Sequence, residues 1–218
     1  MTRLETVFEE VTHSSDKWQP YFEIYERHLS GLNPKNLVEV GVQKGGSLEM
    51  WGNYFPTTKI TGIDIDRECS NLKYDNSNIS VIIGDQGNSD FWDEFLLNTD
   101  DIDIFIDDGG HYMNQQILTF EKVFPKLKMG GVYICEDCHT SYMWHNGGGL
   151  LRPRTFIEYS KSLLDIIHFD WAEGKTPEMN KKREITDGLT SIHFYDSVVV
   201  FEKFGRRNMN RVFPKQFR

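Results

Sequence analysis

Residues 36–66 read NLVEVGVQKGGSLEMWGNYFPTTKITGIDID, and this stretch decides the class of fold. A short apolar run predicts a strand over 36–42 that runs into a glycine turn. Apolar residues at helical spacing then predict a helix over 47–55, and a second apolar run ending in acids predicts a strand over 59–66. A strand, a turn, a helix and another strand indicate the start of an α/β fold with a parallel sheet.

The same alternation extends to both sides of this stretch. A helix is predicted around 21–29, and Ser89 with Asp90 is expected to cap a later helix that ends at Leu97. The other predicted elements are strands over 78–86, 101–110 and 130–139, helices over 111–124 (stopped by Pro125) and within 152–167, and two strands within 191–204. We expect a Rossmann-like, mostly parallel seven-stranded sheet with helices on both faces and an antiparallel C-terminal hairpin strand.

The composition indicates a soluble globular domain. The chain has 218 residues, 39% of them hydrophobic and 26% charged, and no apolar run approaches the roughly 20 residues of a membrane helix. The polar, acidic N-terminus predicts that no signal peptide is present. Cys69, Cys135 and Cys138 are too few for a disulfide framework, so a cytoplasmic location is expected.

The charge distribution argues against a nucleic-acid partner. The net charge is −9, and residues 206–218 carry five basic residues and no acidic one, so the preceding 205 residues carry −14. A body this acidic repels phosphates. The basic tail either docks on an acidic surface or is simply solvated.

A nucleoside site is predicted where the first three strands end. Glycines after the first strand let the backbone approach a ligand, and a carboxylate ending the second strand can accept hydrogen bonds from both ribose hydroxyls. The spacing G-x-x-x-G-G over 41–46 differs from the dinucleotide and phosphate-loop patterns. In this order the elements resemble the class I S-adenosylmethionine-dependent methyltransferases. The candidate cofactor residues are Glu39, Gly41, Gly45, Ser47, Asp64, Asp85, Gln86 and Asp107.

A metal site is predicted where two later strands end. The sequences DDGGH (107–111) and EDCHTSY (136–142) each follow an apolar run, and the two strands should be neighbours. Carboxylates that converge there repel one another unless a cation neutralises them, and an all-oxygen set suits Mg²⁺ or Mn²⁺. The candidate ligands are Asp108, Glu136 and Asp137. Alternatively, these acids only cap the helices that follow.

His111 is the candidate general base, with Asp108 as its metal-binding partner in catalysis. A metal on Asp108 would bring an acceptor hydroxyl close to His111, three residues further on. This spacing is similar to that in catechol methyltransferases, where the base is a lysine. The alternative is that His111 only begins a helix.

Cys135, Cys138 and His139 match the haem-attachment pattern C-x-x-C-H. Haem c would need an exported protein, and a zinc site would need a second cysteine pair. We therefore favour accidental spacing, with Cys135 a buried strand residue and Cys138 a loop residue.

These motifs together resemble one family. DGGH (108–111), EDCHTSY (136–142), HSSDKW (13–18) and EVGVQKGGSLEMW (39–51) resemble the macrocin and mycinamicin sugar O-methyltransferases, from about His13 to Gly149. The resemblance implies Mg²⁺ on the three carboxylates, His111 as base and a deoxysugar hydroxyl as methyl acceptor. The chain departs from the family in lacking the long N-terminal extension of some members, which leaves the oligomeric arrangement and the exact acceptor open. A homo-oligomer is a further expectation.

The acceptor is expected to contact the segment after the metal ligands. His139, Tyr142 and Trp144 are the candidate residues, and three glycines at 147–149 indicate a mobile loop. Alternatively, this segment is only a connector without a role in acceptor binding. The segment 174–187 is polar and is expected to be a second flexible region.

The sequence therefore predicts a single methyltransferase domain over 1–218, acting with S-adenosylmethionine on a sugar-containing small molecule or glycan. We expect a helical cap (1–34), a cofactor-binding core (35–137), an acceptor region (138–190), a closing hairpin (191–204) and a basic tail (205–218). The alternatives are a protein like cephalosporin hydroxylase, another small-molecule O-methyltransferase, or a non-catalytic module that binds S-adenosylmethionine.

Overall fold

The computed structural model describes residues 1–205, so the predicted basic tail lies almost entirely outside the described residues. Its strands are β1 (Asn36–Val40), β2 (Lys59–Asp64), β3 (Ile79–Ile83), β4 (Ile102–Asp107), β5 (Leu127–Cys135), β6 (Ser191–Phe194) and β7 (Val199–Lys203). Its helices are α1 (Arg3–Glu9), α2 (Gln19–Leu29), α3 (Gly46–Tyr54), α4 (Ser89–Leu97), α5 (Met113–Val123), α6 (Phe156–Ser162), α7 (Leu164–Ile167) and α8 (Pro177–Ile185).

Over these residues the strands form one seven-stranded sheet in the order β3-β2-β1-β4-β5-β7-β6. The first five strands of this order are parallel, and β7 is antiparallel to both β5 and β6. All five residues of β1 are buried, as expected for a central strand covered on both faces. The predicted fold class is confirmed, including the antiparallel hairpin.

Two hydrophobic clusters show that both faces of the sheet are covered. Side chains alternate between faces along a strand, so neighbours in β1 belong to different clusters. Leu37 packs with residues of α1, α2 and α3, whereas Val38 packs with residues of α4, α5 and α6. Helices on both faces are therefore confirmed.

Several predicted boundaries are wrong by a few residues, each for a local reason. Asn88, not Ser89 or Asp90, caps α4, because its side chain accepts the backbone N–H groups of Asp90 and Phe91. The helix predicted over 111–124 begins at Met113, because His111 has a φ of 56°, which no helical residue adopts.

Two helices were missed. Helix α1, for which no prediction was made, begins with a capping box of Thr2 and Glu5. The segment 174–187, expected to be flexible, contains α8, whose first turn is capped by the Thr176 side chain. No helix of residues 1–205 combines the length and the apolar character needed to cross a membrane.

The loops after β1 and β4 touch at the point where the strand order reverses. In open α/β sheets this crevice receives ligands. Asp108 donates its backbone N–H to Val40, and a Cβ on Gly41 would lie 1.9 Å from the carbonyl oxygen of Asp108. Gly41 also has a φ of 97°, so this position requires glycine for conformation and for space.

We expect Gly41→Ala to lower the free energy of unfolding by about 2–4 kcal/mol, which combines backbone strain with the collision against the next loop. Gly130→Ala is the matched control, because Gly130 has a similar φ of 91° but no neighbour that a Cβ would meet. That control should lose about 1 kcal/mol. Urea denaturation measures both, and equal losses would contradict the assigned loop contact.

Candidate active site

A cavity of about 560 Å³ lies beyond the carboxyl ends of the parallel strands, a volume typical of small-molecule sites. Its wall combines the glycine loop after β1, the ends of β2 and β3, the acidic loops after β4 and β5, and the segment that precedes α2. Of the predicted site residues, the wall contains Gly41, Ser47, Asp64, Asp85, Gln86, Asp108, His111, Glu136 and Asp137.

Asp64 organises one half of the cavity. Its Oδ2 accepts the backbone N–H groups of Val42 (2.7 Å) and Gln43 (3.0 Å), and its Oδ1 accepts that of Asp66 (2.9 Å). Burial alone would raise the pKa of Asp64, but these three N–H donors lower it below its usual value. An ionised acceptor therefore lines the cavity beside the glycine loop.

Glu39 and Asp107, predicted to contact the cofactor, lie beneath the wall. Glu39 is fully buried and accepts the hydroxyl of Ser47 (2.5 Å) and the indole N–H of Trp51. Burial raises its pKa to about 7, although Lys17 opposes this shift. Its contact with Ser47 orients a residue of the cavity wall.

Asp107 acts in the same way on a second wall residue. Its Oδ1 accepts the amide N–H of Gln86 (2.5 Å), and its Oδ2 accepts the hydroxyl of Tyr133 (2.9 Å). Burial raises the pKa of Asp107 to about 6, and both hydrogen bonds oppose the shift. Gln86 in turn accepts the backbone N–H of Gly110 (3.0 Å), which ties the loops after β3 and β4 together.

Gly45 also lies outside the wall. It precedes α3 with a φ of 90°, and a Cβ there would meet the Tyr74 hydroxyl at 2.4 Å. The Tyr74 hydroxyl donates to the carbonyl of Gly45 (3.2 Å). Gly45 therefore packs against Tyr74 in the turn and does not line the cavity.

The other half of the cavity brings the predicted metal ligands and base together. His111 Nε2 lies 3.8 Å from Asp108 Oδ1 and 3.6 Å from Asp137 Oδ2. One ligand atom from each of these three residues falls within 4.8 Å of the others. His111 Nδ1 is buried and has no hydrogen-bond partner among residues 1–205. Both His111 and Asp137 have positive φ values, so strained turns aim these side chains at the cavity.

Glu136 is held separately, by residues that the sequence reading left without a role. Lys17 Nζ donates to Glu136 Oε2 (2.7 Å) and to Asp108 Oδ2 (2.5 Å), and the Tyr25 hydroxyl donates to Glu136 Oε1 (2.6 Å). The Tyr21 hydroxyl donates to Asp137 Oδ1 (2.7 Å). The segment 17–25 therefore contacts all three predicted metal ligands.

The charged groups in this half shift one another's pKa values. Burial alone would lower the pKa of Lys17, but the carboxylates of Asp108 and Glu136 together raise it well above its usual value. Burial and the neighbouring Asp108 raise the pKa of Glu136, and the Lys17 ammonium opposes them. The ammonium of Lys17 is thus a cation held between two predicted metal ligands.

These donors fit a hard divalent cation. Carboxylate oxygens are the ligands that Mg²⁺ and Mn²⁺ prefer, and the structure already stabilises a positive charge among them. The three candidate ligands lie at the ends of two adjacent parallel strands, as their spacing predicted.

The predicted acceptor residues do not line the cavity. His139 Nδ1 lies 2.5 Å from the Ser197 hydroxyl, and the side chains of Tyr142 and Trp144 are exposed to 50% and 79%. Two aromatic residues of the described chain line the cavity, Tyr21, which is buried, and Trp18, which is 62% exposed.

The C-x-x-C-H pattern gathers no metal-binding set. Cys135 and Cys138 are free and buried, and Cys138 Sγ donates to the carbonyl of Cys135. Among residues 1–205, the groups close enough to share a metal include neither cysteine. The other such group is His28, His193 and Glu202, whose side chains are joined by hydrogen bonds.

No family model matches the chain. It is 32% identical over 206 residues to 8-demethyl-8-(2-methoxy-alpha-L-rhamnosyl)-tetracenomycin-C 3'-O-methyltransferase of Streptomyces olivaceus, which covers 88% of this chain and 52% of that protein. It is 31% identical over 193 residues to mycinamicin VI 2''-O-methyltransferase of Micromonospora griseorubida, covering 82% and 47% respectively.

Among solved structures, the chain resembles the MycE methyltransferase of mycinamycin biosynthesis in complex with Mg and SAH. The TM-score is 0.78 at 28% identity, and the match covers 93% of this chain and 54% of that one. The chain thus spans about half the length of the curated relatives it matches.

Proposed function

The chain belongs to the same sequence family as the macrocin- and mycinamicin-type sugar O-methyltransferases, and we propose that it shares their reaction. The reaction is transfer of a methyl group from S-adenosylmethionine to a sugar hydroxyl in the presence of a divalent metal. The observation that carries the proposal is a single cavity with an ionised Asp64 in one half and a histidine beside clustered carboxylates in the other.

The Asp64 half would bind the cofactor. Gly41 allows the backbone of its loop to approach the ligand, and Asp64 would accept hydrogen bonds from the ribose hydroxyls. Asp85 and Gln86 end the neighbouring strand and would contact the base. Glu39 and Asp107 would act indirectly through Ser47 and Gln86, which they orient.

The acidic half would hold the metal on Asp108, Glu136 and Asp137. When bound, the metal supplies positive charge that lowers the pKa of the acceptor hydroxyl and orients its oxygen. The carboxylates fix the place of that charge, and the tyrosines of α2 hold two of them in position through hydrogen bonds.

His111 would take the proton of the acceptor hydroxyl at Nε2. As that proton leaves, the hydroxyl oxygen forms a bond with the methyl carbon, and the sulfur keeps the electrons of the bond that breaks. The products are the methyl ether, S-adenosylhomocysteine and a protonated His111, which returns its proton to solvent. Holding both substrates in line in one cavity supplies a large part of the rate.

The acceptor would be a sugar-containing small molecule or glycan that enters at the cavity edge beside Trp18. An exposed aromatic side chain provides an apolar face on which a sugar ring can stack. His139, Tyr142 and Trp144 do not line the cavity and remain candidates for contacts with the rest of the acceptor.

The function is tested by incubating the full chain with methyl-labelled S-adenosylmethionine, Mg²⁺ and a panel of deoxysugar glycosides. We expect label on a sugar hydroxyl, and loss of transfer with EDTA that added Mg²⁺ restores. Transfer that EDTA leaves unchanged would contradict the metal role. Absence of binding to S-adenosylhomocysteine by calorimetry would contradict the proposed function as a whole.

The role of His111 is tested by His111→Asn, because asparagine also tolerates a left-handed φ and so preserves the turn. Loss of a general base should lower turnover by about 10²- to 10⁴-fold while leaving cofactor binding nearly unchanged. His168→Asn is the matched control and should keep most activity, since His168 is exposed and does not line the cavity. Near-normal turnover of the His111 variant would assign the base elsewhere.

The cofactor half is tested by Asp64→Ala. Loss of this acceptor should weaken binding of S-adenosylmethionine by about 1–3 kcal/mol, measured by calorimetry. Asp66→Ala is the control, because Asp66 caps the next turn and lies outside the cavity wall. Equal affinities for the two variants would show that the ribose is bound elsewhere.

A further inference from the structure

The six oxygens of the three predicted metal ligands are not equally free. Lys17 occupies Oδ2 of Asp108 and Oε2 of Glu136, and the two tyrosines of α2 occupy Oε1 of Glu136 and Oδ1 of Asp137. The remaining two, Asp108 Oδ1 and Asp137 Oδ2, are the carboxylate oxygens that approach His111 Nε2.

In this arrangement, metal binding and proton transfer compete for the Nε2 lone pair of His111. With the ammonium in place, the ligand atoms close enough to share a cation belong to Asp108, His111 and Asp137. A cation bound there would use the Nε2 lone pair, and His111 could no longer accept a proton. The full set of three carboxylates leaves that lone pair free, but it requires an oxygen of Glu136 that Lys17 or Tyr25 now occupies.

We propose that Lys17 is a displaceable internal cation. Its ammonium holds Asp108 and Glu136 together before the divalent metal binds, and leaves them when the metal takes up the three carboxylates. Before the metal binds, Lys17 acts as a positioning residue for the two carboxylates, and its departure lets the metal bind without the Nε2 lone pair of His111, which stays available as the base. This inference rests on the proposed function, because it takes the metal and the base from it.

The chemistry of the lysine side chain supports displacement over shared binding. A protonated amine has three donors and no acceptor, so it cannot become a ligand beside the metal. It competes with the metal for the same oxygens, and repulsion between the two cations favours its departure.

The structure also leaves Lys17 room to move. The residue precedes the first turn of α2, and its side chain borders the cavity of about 560 Å³. The segment before it is anchored independently, since Glu49 accepts the backbone N–H groups of Thr12 and His13. The flexible four-carbon stem can therefore turn into the cavity without movement of the backbone.

Lysine acylation followed by mass spectrometry tests this in the unaltered protein. The Lys17 side chain is 3% exposed here, so it should react slowly with isotope-coded acetic anhydride in EDTA. With saturating Mg²⁺ its rate should rise by roughly tenfold, the ratio given by a change of about 1.4 kcal/mol in the equilibrium between held and released ammonium. Lys203 is the matched control, because it too is buried, with its ammonium on the carbonyls of Phe124 and Pro125, and its rate should not change.

Calorimetric titration with Mg²⁺ on the same samples separates the outcomes. If Mg²⁺ binds and Lys17 stays protected, displacement is wrong while the proposed function stands. If Mg²⁺ does not bind at all, both this inference and the metal half of the proposed function are overturned.

Two variants test whether the Lys17 ammonium competes with Mg²⁺, because competition predicts tighter Mg²⁺ binding when the charge is removed. Lys17→Met removes the competing charge, so it should bind Mg²⁺ about tenfold more tightly than the unaltered chain, whereas Lys17→Arg should remain close to it. If Lys17 only supported the local structure, Lys17→Met would bind Mg²⁺ more weakly, and that result would overturn the proposal.

Discussion

Mutual repulsion among three carboxylates is the constraint around which this site is arranged. They follow two adjacent parallel strands, and one of them, Glu136, is only 1% exposed. A buried charge without a partner is strongly destabilising. The compensation comes from a distant part of the chain, where Lys17, Tyr21 and Tyr25 follow one another at intervals of four residues and donate to these carboxylates. Tyr21 and Tyr25, four residues apart within α2, lie on the same side of that helix, and Lys17 precedes it.

The need for these hydrogen-bond donors also constrains the position of α2. The helix must lie across the strand ends so that the hydroxyls of Tyr21 and Tyr25 reach the carboxylates. The same helix continues to His28, whose two ring nitrogens contact Glu202 of β7 (2.9 Å) and the hydroxyl of Tyr195 (2.8 Å). Burial lowers the pKa of His28, and the hydrogen bond from His28 helps to lower that of Glu202, although burial of that carboxyl opposes the shift. Helix α2 therefore connects the acidic loops to the C-terminal hairpin of β6 and β7.

The sequence predicted the sheet because its strands are apolar runs that end in acids or glycine, and these are local signals. It also predicted which acids would cluster, since the ends of neighbouring parallel strands meet at one edge. It could not predict the partners of Lys17, which lie 91 and 119 residues away. Tyr21 and Tyr25 are apolar positions of the helix predicted around 21–29, and both are buried, but a hydropathy pattern reflects the ring and not the hydroxyl that reaches the site.

The end of a strand separates predicted contacts that lie beneath the cavity from those that face it. Asp107 is the last residue of β4 and is fully buried, whereas Asp108, in the loop that follows, lines the cavity. Asp107 instead fixes Gln86, as Glu39 fixes Ser47, and both pairs orient wall residues before any ligand arrives. The acidic half cannot be built this way, because an anion beneath it would add to the repulsion. It needs a positive charge. The ammonium of Lys17, on a flexible side chain, can hold the carboxylates together and can still be displaced by a metal.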